Sequence, residues 1–142
     1  MRKALTYLTL AISAACLSAS AAAQDGAEEE RTTYQVSMLK LDDGAQDRWM
    51  EIMEKNLTPA RAAAGLPAPQ VHWVMAGPWD IMVISEMPDG LGSLDQHVSP
   101  TGASYQAALQ KQLGSEAAVE ALNKELDKLV VDSQRTFTHT HP

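Results

Sequence analysis

The stretch "GPWDIMVISEMPDG", residues 77–90, decides how this chain is read. A Gly-Pro break precedes a run in which Ile81, Met82, Val83 and Ile84 are all apolar, and Glu-Met-Pro-Asp-Gly closes it. Gly77 admits backbone that a side chain would oppose, Pro78 fixes φ at the next position, and Asp80 is placed to bond turn amides. A run apolar on both faces suits a strand inside a sheet that is covered on each side. Just upstream, Val71, Trp73 and Met75 alternate with His72 and Val74, so the stretch is first of all the second half of a hairpin.

Working outward, "TYQVSMLKL" at residues 33–41 alternates, with Tyr34, Val36 and Met38 on one face and Gln35, Ser37 and Leu39 on the other. Asp42 or Asp43 then offers an N-cap, and Trp49, Met50, Met53 and Leu57 follow at helical spacing, with Glu51 and Lys55 set to pair. This helix is predicted from about Gly44 to Ala64, bent at Pro59. After the hairpin, one short helical turn is expected around Leu94 to Val98. Helical patterning resumes at Ala103, breaks at Gly114-Ser115, and continues through Val119, Leu122, Leu126 and Leu129, with Ser115 as cap. The final "DSQRTFTHTHP" places Arg135, Phe137, His139 and His141 on one face of a strand. The order βαββαβ predicts an α+β, ferredoxin-like antiparallel sheet with its helices on one face. The other face then needs a cover, and a second copy of the chain is the economical one.

The N-terminus reads as a secretory signal: Arg2 and Lys3, an apolar stretch from Ala4 to Leu17, and the A-x-A pattern at Ala21 and Ala23. Its ~14 apolar residues fall short of the ~20 that span a bilayer, and Ser13 stands where a lipoprotein signal before Cys16 usually has a leucine-like residue. The predicted organisation is therefore a signal peptide at 1–23, an acidic leader at 24–32 and one domain at 33–142, with a periplasmic or secreted location. Removing residues 1–23 takes away the only cysteine and leaves nine basic against eighteen acidic residues, a net charge of −9. No disulfide can then form, and the charge balance argues against nucleic acid and anionic membrane surfaces as partners.

The residues "GPWDIMVISEMPD" resemble the Gly-aromatic-Asp, hydrophobic run, Glu-x-Pro-Asp pattern of GYD-type domains. These belong to the dimeric α/β-barrel superfamily, which also includes NIPSNAP-like proteins, antibiotic-biosynthesis-type monooxygenases and haem-degrading monooxygenases. The likeness in motif covers residues 77–89, and the likeness in element order runs from Thr33 to His141. Pro78, between Gly77 and Trp79, and the longer second helical region depart from the pattern. The resemblance implies a homodimer with facing sheets and, in each subunit, a cavity between sheet and helices that takes small apolar or aromatic molecules. It implies no particular reaction.

The expected pocket is lined by Tyr34, Trp73, Trp79, Met82 and Phe137, with His72 and Arg135 as polar anchors. Binding there requires no cofactor. Asp80 and Glu86 join His72 and Arg135 as groups available for acid–base chemistry. A second reading is a cofactor-independent monooxygenase acting on a phenolic or polycyclic substrate, with His72 or His97 as base. In haem-degrading relatives a histidine in the region of His97 binds iron, but the asparagine those relatives carry on the first strand is missing here, Asn56 and Asn123 falling in predicted helices. A third reading is metal binding by His139 and His141, ~6–7 Å apart along one strand face, once further ligands converge. Of the six methionines beyond Met1, Met75, Met82 and Met87 sit in the central hairpin as adaptable apolar filling. Nucleophile and phosphate-loop motifs are missing.

Overall fold

A computed structural model describes residues 31–141. The predicted signal peptide with Cys16, and all but the last two residues of the acidic leader, lie outside the described residues.

Strand β1 (Thr33–Leu41) occupies the middle of the sheet. Strand β3 (Ile81–Glu86) pairs along one side of it, with β2 (Gln70–Trp73) beyond, and β4 (Val130–His139) pairs along the other. Every pairing is antiparallel, and the order β2-β3-β1-β4 is the ferredoxin-like arrangement predicted from the βαββαβ pattern. Among the described residues no helix is long and apolar enough to cross a membrane.

The first helical region is continuous but not uniform. Helix α1 (Gln46–Ile52) passes into a π-helical turn (Met53–Leu57) and then α2 (Thr58–Ala63), with helical backbone at both joins. Pro59 accounts for the irregularity. It has no N–H to give the Lys55 carbonyl four residues earlier, and its ring crowds that carbonyl. The chain widens there, and Gln112 Nε2 donates to the Lys55 oxygen instead, at 2.8 Å. Neither Asp42 nor Asp43 caps α1 by its side chain, contrary to expectation. Buried Ala45 takes the cap position, and the turn is closed through backbone, Ala45 N donating to the Asp42 carbonyl at 3.0 Å.

Helices α3 (Pro100–Leu113) and α4 (Glu116–Leu129) make up the second helical region, joined at left-handed Gly114. Ser115 caps α4 by accepting from the Ala118 amide, and Ser99 caps α3 in the same way through Gly102. The short turn expected near Leu94 to Val98 forms slightly earlier, as a 3₁₀ segment at Leu91–Asp95.

Two apolar clusters hold these layers. Ala45, Trp49 and Met53 pack with Leu41 and Ile81 of the sheet, supported by Leu39, Val71 and Val83. Ile52 and Ala60 turn the other way, onto Leu109 of α3 and Val119 and Leu122 of α4. All the helical packing on the sheet thus falls on the face of Leu39, Leu41, Ile81 and Val83. Because side chains alternate along a strand, the register puts Tyr34, Val36, Met38, Met82 and Ile84 on the opposite, open face.

Candidate functional site

The helix side of the sheet is apolar only in part. Leu39, Leu41, Val83 and Ile81 lie under the helices, but further along the same face come Gln35, Ser37 and Ser85, and on β4 Ser133 and Arg135. Here sheet and helices part, and a cleft of about 410 Å³ opens. Trp49, Met53 and Leu57 form its helical wall, Leu39 and Val83 its floor, and Leu126 and Val130 contribute from the end of α4 and the start of β4. Its polar groups are Gln35, Ser37, Ser85, Ser133, Arg135, Asp127, Tyr105 and Arg61. A second cleft of about 230 Å³ adjoins it, lined by Glu86 to Asp89, Ser93, Ser99, Thr101 and Gly102. Gln35, Arg61 and Tyr105 line both and form the junction.

Arg61 is the unusual group. Its Nε donates to the Pro67 carbonyl at 3.0 Å, while its Nη2 is buried and has no hydrogen-bond partner among the described residues. Burial pulls the guanidinium below its ordinary pKa, opposed by the Tyr105 phenolate at the high pH where it ionises and by the Glu86 carboxylate. Burial likewise raises the Tyr105 phenol, with Arg61 pulling the other way. Both effects follow from moving a charge out of water, and they leave Arg61 cationic and Tyr105 a protonated donor at neutral pH.

Of the residues expected in the pocket, Arg135 lines this cleft. Phe137 lies on the same face opposite Gln35, 37% exposed on the edge strand, and Trp73 lies opposite Ile81 at the other edge, 51% exposed. Tyr34 and Met82 are on the open face, since Met38 pairs with Met82 while its neighbour Ser37 pairs with Arg135. Trp79 is half-buried in the β2–β3 connection and lines neither cleft. The six therefore do not share one cavity. Strand alternation sends them to opposite sides of the sheet, which corrects the expected lining.

His72 is exposed opposite Met82 on the open face, and His97 is exposed in the segment before α3. Neither lines either cleft. His139 and His141 do come together, Nε2 to Nε2 at 3.2 Å with their rings edge to face. Among the described residues no group of three or more His, Cys, Asp or Glu is placed to hold a metal ion.

Sequence reasoning passed over Arg61, Gln35 and Tyr105. The signal for Arg61 was available: Trp49, Met53, Leu57 and Arg61 follow at intervals of four and all line the main cleft. An arginine continuing an apolar helical row is a different object from one on a solvated face.

No family model matches the chain, and no curated protein matches it. Its fold is similar to crystal structures of two NIPSNAP family proteins from Agrobacterium tumefaciens. One, of unknown function, has a TM-score of 0.50 at 16% identity, over 77% of this chain and 87% of that one. The other has a TM-score of 0.52 at 12% identity, over 78% and 86%. Similarity at that level of identity is similarity of fold, and it agrees with the strand order: the chain has a ferredoxin-like α+β fold similar to the fold of these NIPSNAP family proteins.

Proposed function

We propose that the protein is an exported, homodimeric binder of a small, largely apolar molecule, held in the cleft between its sheet and its helices. The observation that carries the reading is one continuous wall. Trp49, Met53 and Leu57 lead along a helical row to Arg61, whose buried Nη2 has no partner among the described residues. Small-molecule sites are mostly apolar cavities with a few convergent polar groups, and this cleft has that composition. Export rests on the N-terminal sequence, and the homodimer on the apolar open face. A monooxygenase would need a base within hydrogen-bond reach of its substrate, whereas His72 and His97 both stand off the clefts, so the geometry favours binding.

Ser133 lines the cleft from the exposed edge strand, where a larger side chain meets solvent on one side and the cleft on the other. Ser133→Trp is expected to weaken binding of N-phenyl-1-naphthylamine, a neutral apolar fluorophore, by about tenfold or more, with the thermal midpoint unchanged. A probe that binds neither protein, or both equally, overturns the reading.

A further inference from the structure

We infer that the cleft takes a monocarboxylate with an apolar body, its carboxylate seated on Arg61; this rests on the small-molecule reading above and names the class of ligand. The helical row brings the guanidinium to the end of the apolar wall formed by Trp49, Met53 and Leu57. Its bond from Nε to the Pro67 carbonyl holds the plane of the group, so the remaining donors point in a set direction before any ligand arrives. A buried donor without an acceptor is costly, and Nη2 of the half-buried Arg61 has none among the described residues, since Glu86 acts on the guanidinium through its charge and not through a hydrogen bond. A ligand carboxylate supplies that acceptor, taking hydrogen bonds from the planar fork of the guanidinium with its two oxygens. Tyr105 and Gln35, the other residues shared by the two clefts, supply further donors beside it. The Gln35 amide is spent only on a long 3.3 Å bond to Ser37 Oγ, which a ligand oxygen can replace.

The surrounding charges set the valence. Glu86 and Asp89 line the second cleft beyond Arg61, and Asp127 lines the main one. Arg135 adds a positive charge on the exposed edge strand. A doubly charged phosphate at the junction would meet Glu86 and Asp89, with Arg61 as the guanidinium that lines both clefts. A singly charged carboxylate is matched by Arg61 alone. The apolar wall then takes the rest of the molecule, which burial drives out of water.

Calorimetric titration of the purified protein with octanoate, 1-octanol and octyl phosphate separates these possibilities. Octanoate is expected to bind roughly 10- to 100-fold more tightly than 1-octanol, the range for a charge-assisted hydrogen-bonded contact, and more tightly than octyl phosphate. Arg61→Gln should remove that advantage and leave 1-octanol unaffected, while Arg61→Lys, which keeps the charge without the fork, should retain part of it. If both Arg61 variants fail to fold, the ranking in the unaltered protein decides alone. Equal binding of octanoate and 1-octanol, or preference for octyl phosphate, overturns the carboxylate assignment and leaves the cleft reading standing. Binding of none of the three overturns the cleft reading and this inference with it.

Discussion

Single residues in the 77–90 stretch explain why it is the organising hairpin strand of this fold. Asp80 reaches across the sheet, where its Oδ2 accepts from the Leu41 amide at 2.8 Å, and its own amide donates to the Leu39 carbonyl. The sequence marked Asp80 as a bonding turn residue, but its partner lies 39 residues away, and spacing along a chain gives no sign of such a partner. At the other end Asp89 accepts from the backbone and hydroxyl of Thr101, tying the hairpin to the start of α3. Gly77 and Gly90 have φ of +111° and +59°, conformations that oppose a side chain, and Gly90, with ψ near −163°, sits in a region that is essentially glycine-only. Leu41 is buried, so Asp80→Ala leaves its N–H without an acceptor and is expected to cost about 1–3 kcal/mol. Asp80→Asn, which keeps an acceptor, should lose less. Urea unfolding at pH 7 measures both, and equal midpoints for the alanine variant and the unaltered protein would show that the bond contributes nothing.

Among elements, the helices were the most legible and their joints the least. Apolar spacing and the serine cap before α4 predicted where helices run, while the partner that takes up the Lys55 carbonyl left free by Pro59 is a glutamine of α3, 57 residues further along the chain. Between α1 and α4, Arg48 binds Glu125 through Nε at 2.6 Å and Nη2 at 3.1 Å, and Glu51 through Nη1 at 2.7 Å. Lys55 completes the group on Glu51 at 2.7 Å, the i,i+4 pair expected from sequence. Its hydrogen bond, and then that of Arg48, hold the Glu51 carboxyl down to about 2 from its ordinary 4.5, and Glu125 is lowered chiefly by Arg48. Carboxyls depressed in the folded state stabilise it above their unfolded pKa and lose that contribution as pH falls toward the folded value. Stability from this network is therefore present at pH 5 and above and declines between about 4.5 and 2. The urea midpoint should fall less steeply over that window in Arg48→Met than in the unaltered protein. Because these side chains are solvated, the difference should shrink in high salt. Parallel pH profiles for the two proteins would contradict the assignment.

At the scale of the whole molecule, the question is what covers the open face. Val36 lies beside Ile84 and Met38 beside Met82 there, with Tyr34 next to them, flanked by Thr136 and Gln134 of β4 and by Gln70 and His72 of β2. An apolar centre with a polar surround is the composition of a subunit interface, and the proposal of a homodimer rests on it. Ile84→Lys places a charge at that centre and should raise the dimer dissociation constant by roughly 100-fold or more, read by sedimentation velocity across a concentration series. A bare monomer for the unaltered protein at all concentrations would remove the dimer. What the sequence determined by itself is the set of elements and their order, because period-2 and period-3.6 patterning and turn residues are local properties that the chain carries wherever it goes. It also determined that β1 has two unlike faces. Only the tertiary structure decided which of them the helices cover, and they cover the face of Gln35, Ser37, Leu39 and Leu41 rather than the more apolar face of Tyr34, Val36 and Met38. The physical reason is that alternation specifies two sides without saying which neighbour each will meet. That choice, made by the packing of Trp49, Met53 and Ile81, leaves polar groups under the helices, opens the cleft, and brings Arg61 to its end.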